Sequence, residues 1–258
     1  RVDRRQRQMC IRDSNTAVGA SAIAASATGV HAVALGYQAL TALTSGNDAT
    51  GLGYQALKGN TTGYSITGVG AYSLLSNTSG IANTALGAES AIYNTTGNYN
   101  TAIGYAALQA NTTASNNTAV GYQAGYSNTT GIHITALGSG AAYGVTTGND
   151  VTALGYLAGN GNTTGYGNTY VGSYSGQLIT TGYNNTILGS YQGNSGGLDI
   201  RTAHNYIVLS DGDGNPRGIF DNSGNFLVGT TSTSGLSGAG CGTFVSAQSD
   251  GQLFLRNS

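Results

Sequence analysis

Eleven glycines, Gly19, Gly36, Gly53, Gly70, Gly87, Gly104, Gly121, Gly138, Gly155, Gly172 and Gly189, recur every 17 residues without one insertion or deletion. Surface loops ordinarily tolerate insertions. Strict spacing therefore requires each copy to stack on its neighbours around its whole circumference, which is the mark of a repeat architecture. The residue before each glycine is always Val, Leu or Ile, from Val18 to Leu188. Two residues earlier stands Thr in ten of the eleven copies, Val33 being the exception. Residues two apart share a face of an extended strand, and the aliphatic member is expected to be buried. Ala or Ser usually lies three residues after the glycine, often followed by Leu, as in Ala39-Leu40, Ala56-Leu57 and Ala107-Leu108. N-T-T-G then closes the period, as at Asn60–Gly63 and Asn94–Gly97. Asn and Gly tolerate positive φ, so this is the expected corner. The unit reads as short strand, small-residue bend, short strand, Asn/Gly turn. So many glycines exclude helix. The predicted fold class is all-β, a parallel β-solenoid of eleven 17-residue coils over residues 15–197, with coils about 4.8 Å apart.

Such a coil is thinly stabilised. Ordering 17 residues costs about 17–34 kcal/mol, whereas one buried Leu or Val contributes about 1.5–3 kcal/mol. Leu four residues after the glycine also fades beyond Leu108, giving way to Gly125, Ala142, Gly159, Gly176 and Gly193. Three chains sharing a central apolar seam would make good the deficit, so a homotrimer is predicted.

Composition narrows the function. Charged residues make up only 7% of the chain, against a typical quarter, which leaves few groups for acid–base catalysis. No catalysis and no cofactor are expected. The 43 glycines lack the every-third spacing of collagen, and there is one Pro. A pI near 6.3 argues against a nucleic-acid partner. No apolar run approaches the 18 residues of a membrane span.

Five of the nine Lys+Arg fall within the first twelve residues. The string R-R-Q-R-Q-M-C-I-R-D-S, Arg4–Ser14, resembles a translated sequencing-library adapter, codon by codon. Residues 1–14 are therefore read as an artefact of a truncated metagenomic fragment and set aside. Without them four basic and eight acidic residues remain, a net charge of −4. Cys241 is then the only cysteine, and one cysteine forms no internal disulfide.

The N-T-A-[VIL]-G segments, such as Asn15–Gly19, Asn83–Gly87, Asn100–Gly104 and Asn117–Gly121, resemble the head repeats of trimeric autotransporter adhesins. Those heads are left-handed parallel β-rolls packed as trimers. G-Y-Q-A-L (Gly36–Leu40, Gly53–Leu57) with N-T-T-G is also similar to repeats of bacteriophage tail fibres. The resemblance implies a structural fibre or adhesin on a virion or bacterial surface. It would serve host attachment and meet a surface glycan or protein receptor.

Beyond Gly197 the pattern changes. H-N-Y-I-V-L (His204–Leu209), Gly218–Phe220 and Phe226–Val228 read as strands joined by the turns D-G-D-G-N and D-N-S-G, a β-meander over residues 198–231. Ile219–Thr231 resembles the region preceding the C-terminal chaperone of tail fibres. The Ser/Gly-rich stretch after Ser232 reads as a flexible connector, residues 232–258 opening a truncated C-terminal region.

Candidate sites are few. Asp211, Asp213 and Asn215 have the 1-3-5 spacing of a calcium loop, but Pro216 stands at the sixth position and Asn222 where a bidentate Glu is needed. A plain hairpin turn is preferred. His31 and His133 share a turn position six coils apart and cannot share a metal. The N-T-T strings match a glycosylation sequon, but their corner position favours a structural role. Tyr37, Tyr54, Tyr105, Tyr122 and Tyr156 each follow a repeat glycine. They are expected to form a ladder along one face, stabilising the coil stack or contacting ligand. An ice-binding solenoid is the remaining alternative. It needs an outward Thr array, and the T-x-[VIL] pairing argues against one.

Overall fold

Each 17-residue period contributes only three or four residues to the sheet. The computed structural model describes residues 14–23, 27–229 and 231, and the backbone of 243–247 and 253–256. The adapter-like residues 1–13 and most of the 232–258 connector lie outside the described residues. The described chain is all-β: a parallel β-solenoid of about eleven turns, followed by antiparallel strands. It divides into two compact units, residues 1–134 and 135–258.

The first unit holds β1 (Thr16–Val18), β2 (Val33–Leu35), β3 (Ala49–Leu52), β4 (Ile66–Val69), β5 (Thr84–Leu86), β6 (Thr101–Ile103) and β7 (Thr118–Val120). Neighbouring strands pair in parallel, each residue opposite its equivalent in the next repeat, as Thr84↔Thr101 and Leu86↔Ile103. The second unit begins with β8 (Thr135–Leu137), β9 (Thr152–Leu154), β10 (Thr169–Val171) and β11 (Thr186–Leu188), paired the same way. A small hairpin follows, β12 (Asn194–Ser195) with β13 (Leu198–Asp199). Then come β14 (Ile207–Ser210), β15 (Pro216–Phe220), β16 (Phe226–Val228), β17 (Thr243–Ala247) and β18 (Leu253–Arg256). β14 pairs in parallel with β11, so the strand assigned to the meander is by pairing a last coil of the solenoid. Equivalent residues there are 21 apart rather than 17, the hairpin having lengthened the coil. From β14 to β18 every pairing is antiparallel.

Burial corrects the reading of the strand. The T-x-[VIL] pair shares a face, as expected, but that face points outward. The inward residue is the one between, Ala in most coils: Ala34, Ala85, Ala102, Ala119, Ala136 and Ala153 are fully buried. Leu137, the aliphatic member expected to be buried in its coil, is 51% exposed. The second expected strand is also absent. Residues two and four after the glycine adopt φ near +50°, as in Gln55, Leu57, Ala106 and Leu108, so this side is a run of tight turns. Coils remain linked there, for example Leu57 N–H donating to Ser73 O at 2.9 Å and Gly59 N–H to Leu75 O at 2.8 Å.

That geometry explains why Leu yields to Gly. The position demands positive φ, which costs an ordinary side chain about 1 kcal/mol or more and glycine almost nothing. Gly125, Gly159 and Gly176 sit there at φ +61°, +59° and +63°. The lost volume is restored across the coil by Tyr170, which replaces the inward Ala and is fully buried. A Cβ on Gly159 would lie 2.6 Å from the Tyr170 ring, and Gly176 leaves room for its other edge. The core is therefore refilled beside Gly159 and Gly176. The repeat glycine itself is fixed by close approach: at Gly104, φ +125°, a Cβ would lie 2.4 Å from the carbonyl oxygen of Gly121.

The asparagines do not make the corner by positive φ. Positive φ falls two residues beyond the closing Gly, at Ser65, Ala82, Tyr99 and their equivalents. The N-T-T-G asparagines are instead buried and stacked into a ladder. Asn77 Nδ2 donates to Asn60 Oδ1 at 3.0 Å, Asn94 to Asn77 at 2.8 Å and Asn111 to Asn94 at 2.7 Å. Each also donates to the carbonyl three residues on. The asparagine of N-T-A-[VIL]-G forms a second ladder. Asn100 Nδ2 donates to Ala114 O at 2.8 Å, and its Oδ1 accepts the Asn117 N–H at 3.1 Å. Amide side chains suit this because each is donor and acceptor at once.

Candidate functional site

Two surface features repeat with the coil: the tyrosine rows and the outward T-x-[VIL] face. In the first unit Tyr37 and Tyr54 are stacked with centroids 5.5 Å apart, and Tyr54 meets Tyr72 edge-on at 5.2 Å. Tyr105 and Tyr122 stack at 5.7 Å. In the second unit Tyr156 packs edge-on against Tyr174 at 5.2 Å, Ser173 leaving no ring in its own row. All five predicted tyrosines are exposed; the structure stacks Tyr37 with Tyr54 and Tyr105 with Tyr122, whereas Tyr156 meets Tyr174 of another row. Stacked neighbours cover part of each other's ring faces, a contact that adds to the stability of the coil stack. The Glu89 carboxylate raises the pKa of the Tyr105 hydroxyl, which it meets at 3.4 Å.

A further stack escaped sequence reasoning. Tyr166, Tyr183 and His204 stack with successive ring centroids 4.8 and 4.6 Å apart and their planes nearly parallel. Tyr166 and Tyr183 share one repeat position, a signal present in the 17-residue register. His204 joins them only through the longer last coil.

The D-G-D-G-N loop is a closed turn. Asp211 Oδ1 accepts the backbone N–H of Asp213 at 3.1 Å and of Asn215 at 2.9 Å, and Arg217 Nε donates to Oδ2 at 2.8 Å. The Asn215 N–H and the Arg217 guanidinium hold this carboxyl down at about 2. Asp221 makes the same turn with Ser223 and Asn225. Asp211 therefore serves Asn215 and Arg217, and Asp213 enters through its backbone. His31 lies 3.1 Å from Asp48, one coil away. Among the described residues no three His, Cys, Asp or Glu gather where a metal could bind. The sequon asparagines Asn60, Asn94, Asn128 and Asn162 are fully buried, which withholds them from glycosylation in the folded chain.

The sheet face is the more extensive feature. Val18, Leu35 and Leu86 in the first unit, and Leu137 and Leu188 in the second, are exposed large aliphatics at one repeat position. The remaining members of the row are half-buried, and Thr stands beside them. None of these positions is charged. Isolated surface apolar residues need no explanation, but contiguous ones mark an interaction site. No protein-family model, curated protein or solved structure matches the chain.

Proposed function

We propose that this chain is a structural, non-catalytic segment of a trimeric fibre or adhesin. It would stand at a virion or bacterial surface and hold a binding tip away from it for host attachment. The observation that carries the reading is the uncharged aliphatic row presented outward once per coil in both units. Covering the exposed half of one Leu or Val gains on the order of 1 kcal/mol, repeated at every coil. Other copies of the chain suit the face because they carry the same rows at the same spacing, with no like charges to oppose contact. The exposed tyrosines are where a surface glycan or receptor would be met. Leu137→Asp tests the seam. Its outward position predicts a chain with unchanged circular dichroism that no longer associates. A variant that unfolds, or one that assembles as well as the parent, contradicts the seam.

A second reading rests on the same face. The Thr residues do point outward, which removes the argument against an ice-binding array. A face buried between chains cannot meet ice, so the two readings exclude each other. Thermal hysteresis from a monomeric chain would favour ice binding.

A further inference from the structure

We propose that the outward face of β14–β16 is the contact that sets the register and polarity in which copies of this chain associate. The inference rests on the self-association just proposed, and it arises from a break in the repeat. Along β8 to β11 the outward sheet face alternates Thr with one aliphatic residue. At β14 the partner of Thr186 is Ile207, and next to it across the sheet come Phe220 and Phe226. The hydroxyl row becomes an apolar row. The aliphatic row continues beside it from Leu188 to Leu209, Gly218 and Val228.

The result is a patch two rows wide. Ile207, Leu209, Phe220 and Val228 are 39–41% exposed. Phe220 and Phe226 stack at 4.5 Å. Gly218 adds no side chain, and Leu209 and Phe226 close over it, each 3.6 Å from where its Cβ would be. Charges at the rim are already engaged within the chain, Arg217 with Asp211 and Asp221 with its own turn. Covering the patch strands no ion.

The occupant is another copy of this chain, because the patch is continuous with the repeated rows. A surface that repeats every 17 residues cannot fix its own register. Sliding one copy by a coil, about 4.8 Å, returns the same contacts everywhere except at the ends. The β14–β16 patch occurs once. Only a parallel, unslipped arrangement brings the patches of all copies together. An antiparallel or slipped one lays phenylalanine and isoleucine on Thr.

Register is read by disulfides. Thr152 and Thr169 are outward and directly paired across one coil. Chains carrying Thr152→Cys and chains carrying Thr169→Cys, each with Cys10→Ser and Cys241→Ser, are mixed, assembled and oxidised. The proposal predicts disulfides between like positions only. Adding Ile207→Thr and Phe220→Thr should give 152–169 links or loss of association, with circular dichroism unchanged. Leu35→Thr with Leu86→Thr, two side chains of similar exposure lost from the repeated row, should keep links between like positions. Unslipped links in the Ile207/Phe220 variant would overturn the proposal, as would slipped links in the parent. A folded parent that stays monomeric would instead overturn the trimer reading on which it rests.

Discussion

Tyr170 stands where most coils carry an inward alanine, and its hydroxyl is buried without a hydrogen-bond partner. Burial pushes its pKa far upward, so the phenol stays neutral. Removing an unsatisfied buried hydroxyl while keeping the ring is neutral or stabilising. Tyr170→Phe should therefore melt at or above the parent temperature. Tyr170→Ala should cost about 3–5 kcal/mol, because Gly159 and Gly176 leave nothing to fill the space. Thermal unfolding followed by circular dichroism separates the two. Asn94 gives the opposite case. Asn94→Ala removes the donor to Asn77 Oδ1 and the acceptor of Asn111 Nδ2, at about 1–3 kcal/mol for each buried group left unpaired. Denaturant titration reads that loss. These roles were only half legible. The sequence marked Asn and Gly as special positions but assigned both to turn conformation. Burial and side-chain pairing one coil away, invisible in a single period, decide what the asparagines do.

At the scale of one coil, the 17-residue spacing and the strand core were readable because every copy repeats them. The in-register pairing follows directly from the glycine interval. The direction of the strand's faces was not readable. A T-A-V sequence satisfies period two with either face inward, and small Ala is inward because the opposite wall of tight turns leaves little depth. The second strand failed for a related reason. Ala-Leu looks extended, yet the chain must turn back within a few residues and does so through positive φ at Leu57 and Leu108. The coil as stacking unit makes a sharp prediction. Deleting Leu86–Ala102 removes one whole period and should leave a β-rich chain. Deleting eight of those residues shifts every later Asn, Gly and strand out of line with its partner and should abolish the fold. Circular dichroism of the two deletions checks this. Indistinguishable spectra would refute stacking by period.

For the whole molecule, a single chain leaves its most regular apolar surface uncovered. The aliphatic rows of both units and the Phe220–Phe226 patch face outward. The inner core depends on the inward alanines, the asparagine ladders, the buried aliphatics of the turns such as Leu57, Leu108 and Ile134, and the buried Tyr170 and Tyr191, not on the outward residues before each glycine. In the proposed assembly the repeated Val, Leu and Ile before each glycine would form the contact between chains, and the register proposal follows from the place where that pattern changes. Mass in solution tests this most directly. Light scattering on the intact chain should give three times the 25.9 kDa chain mass, reduced to one chain by Leu137→Asp without loss of β structure. A stable, fully folded species at the mass of one chain would contradict it.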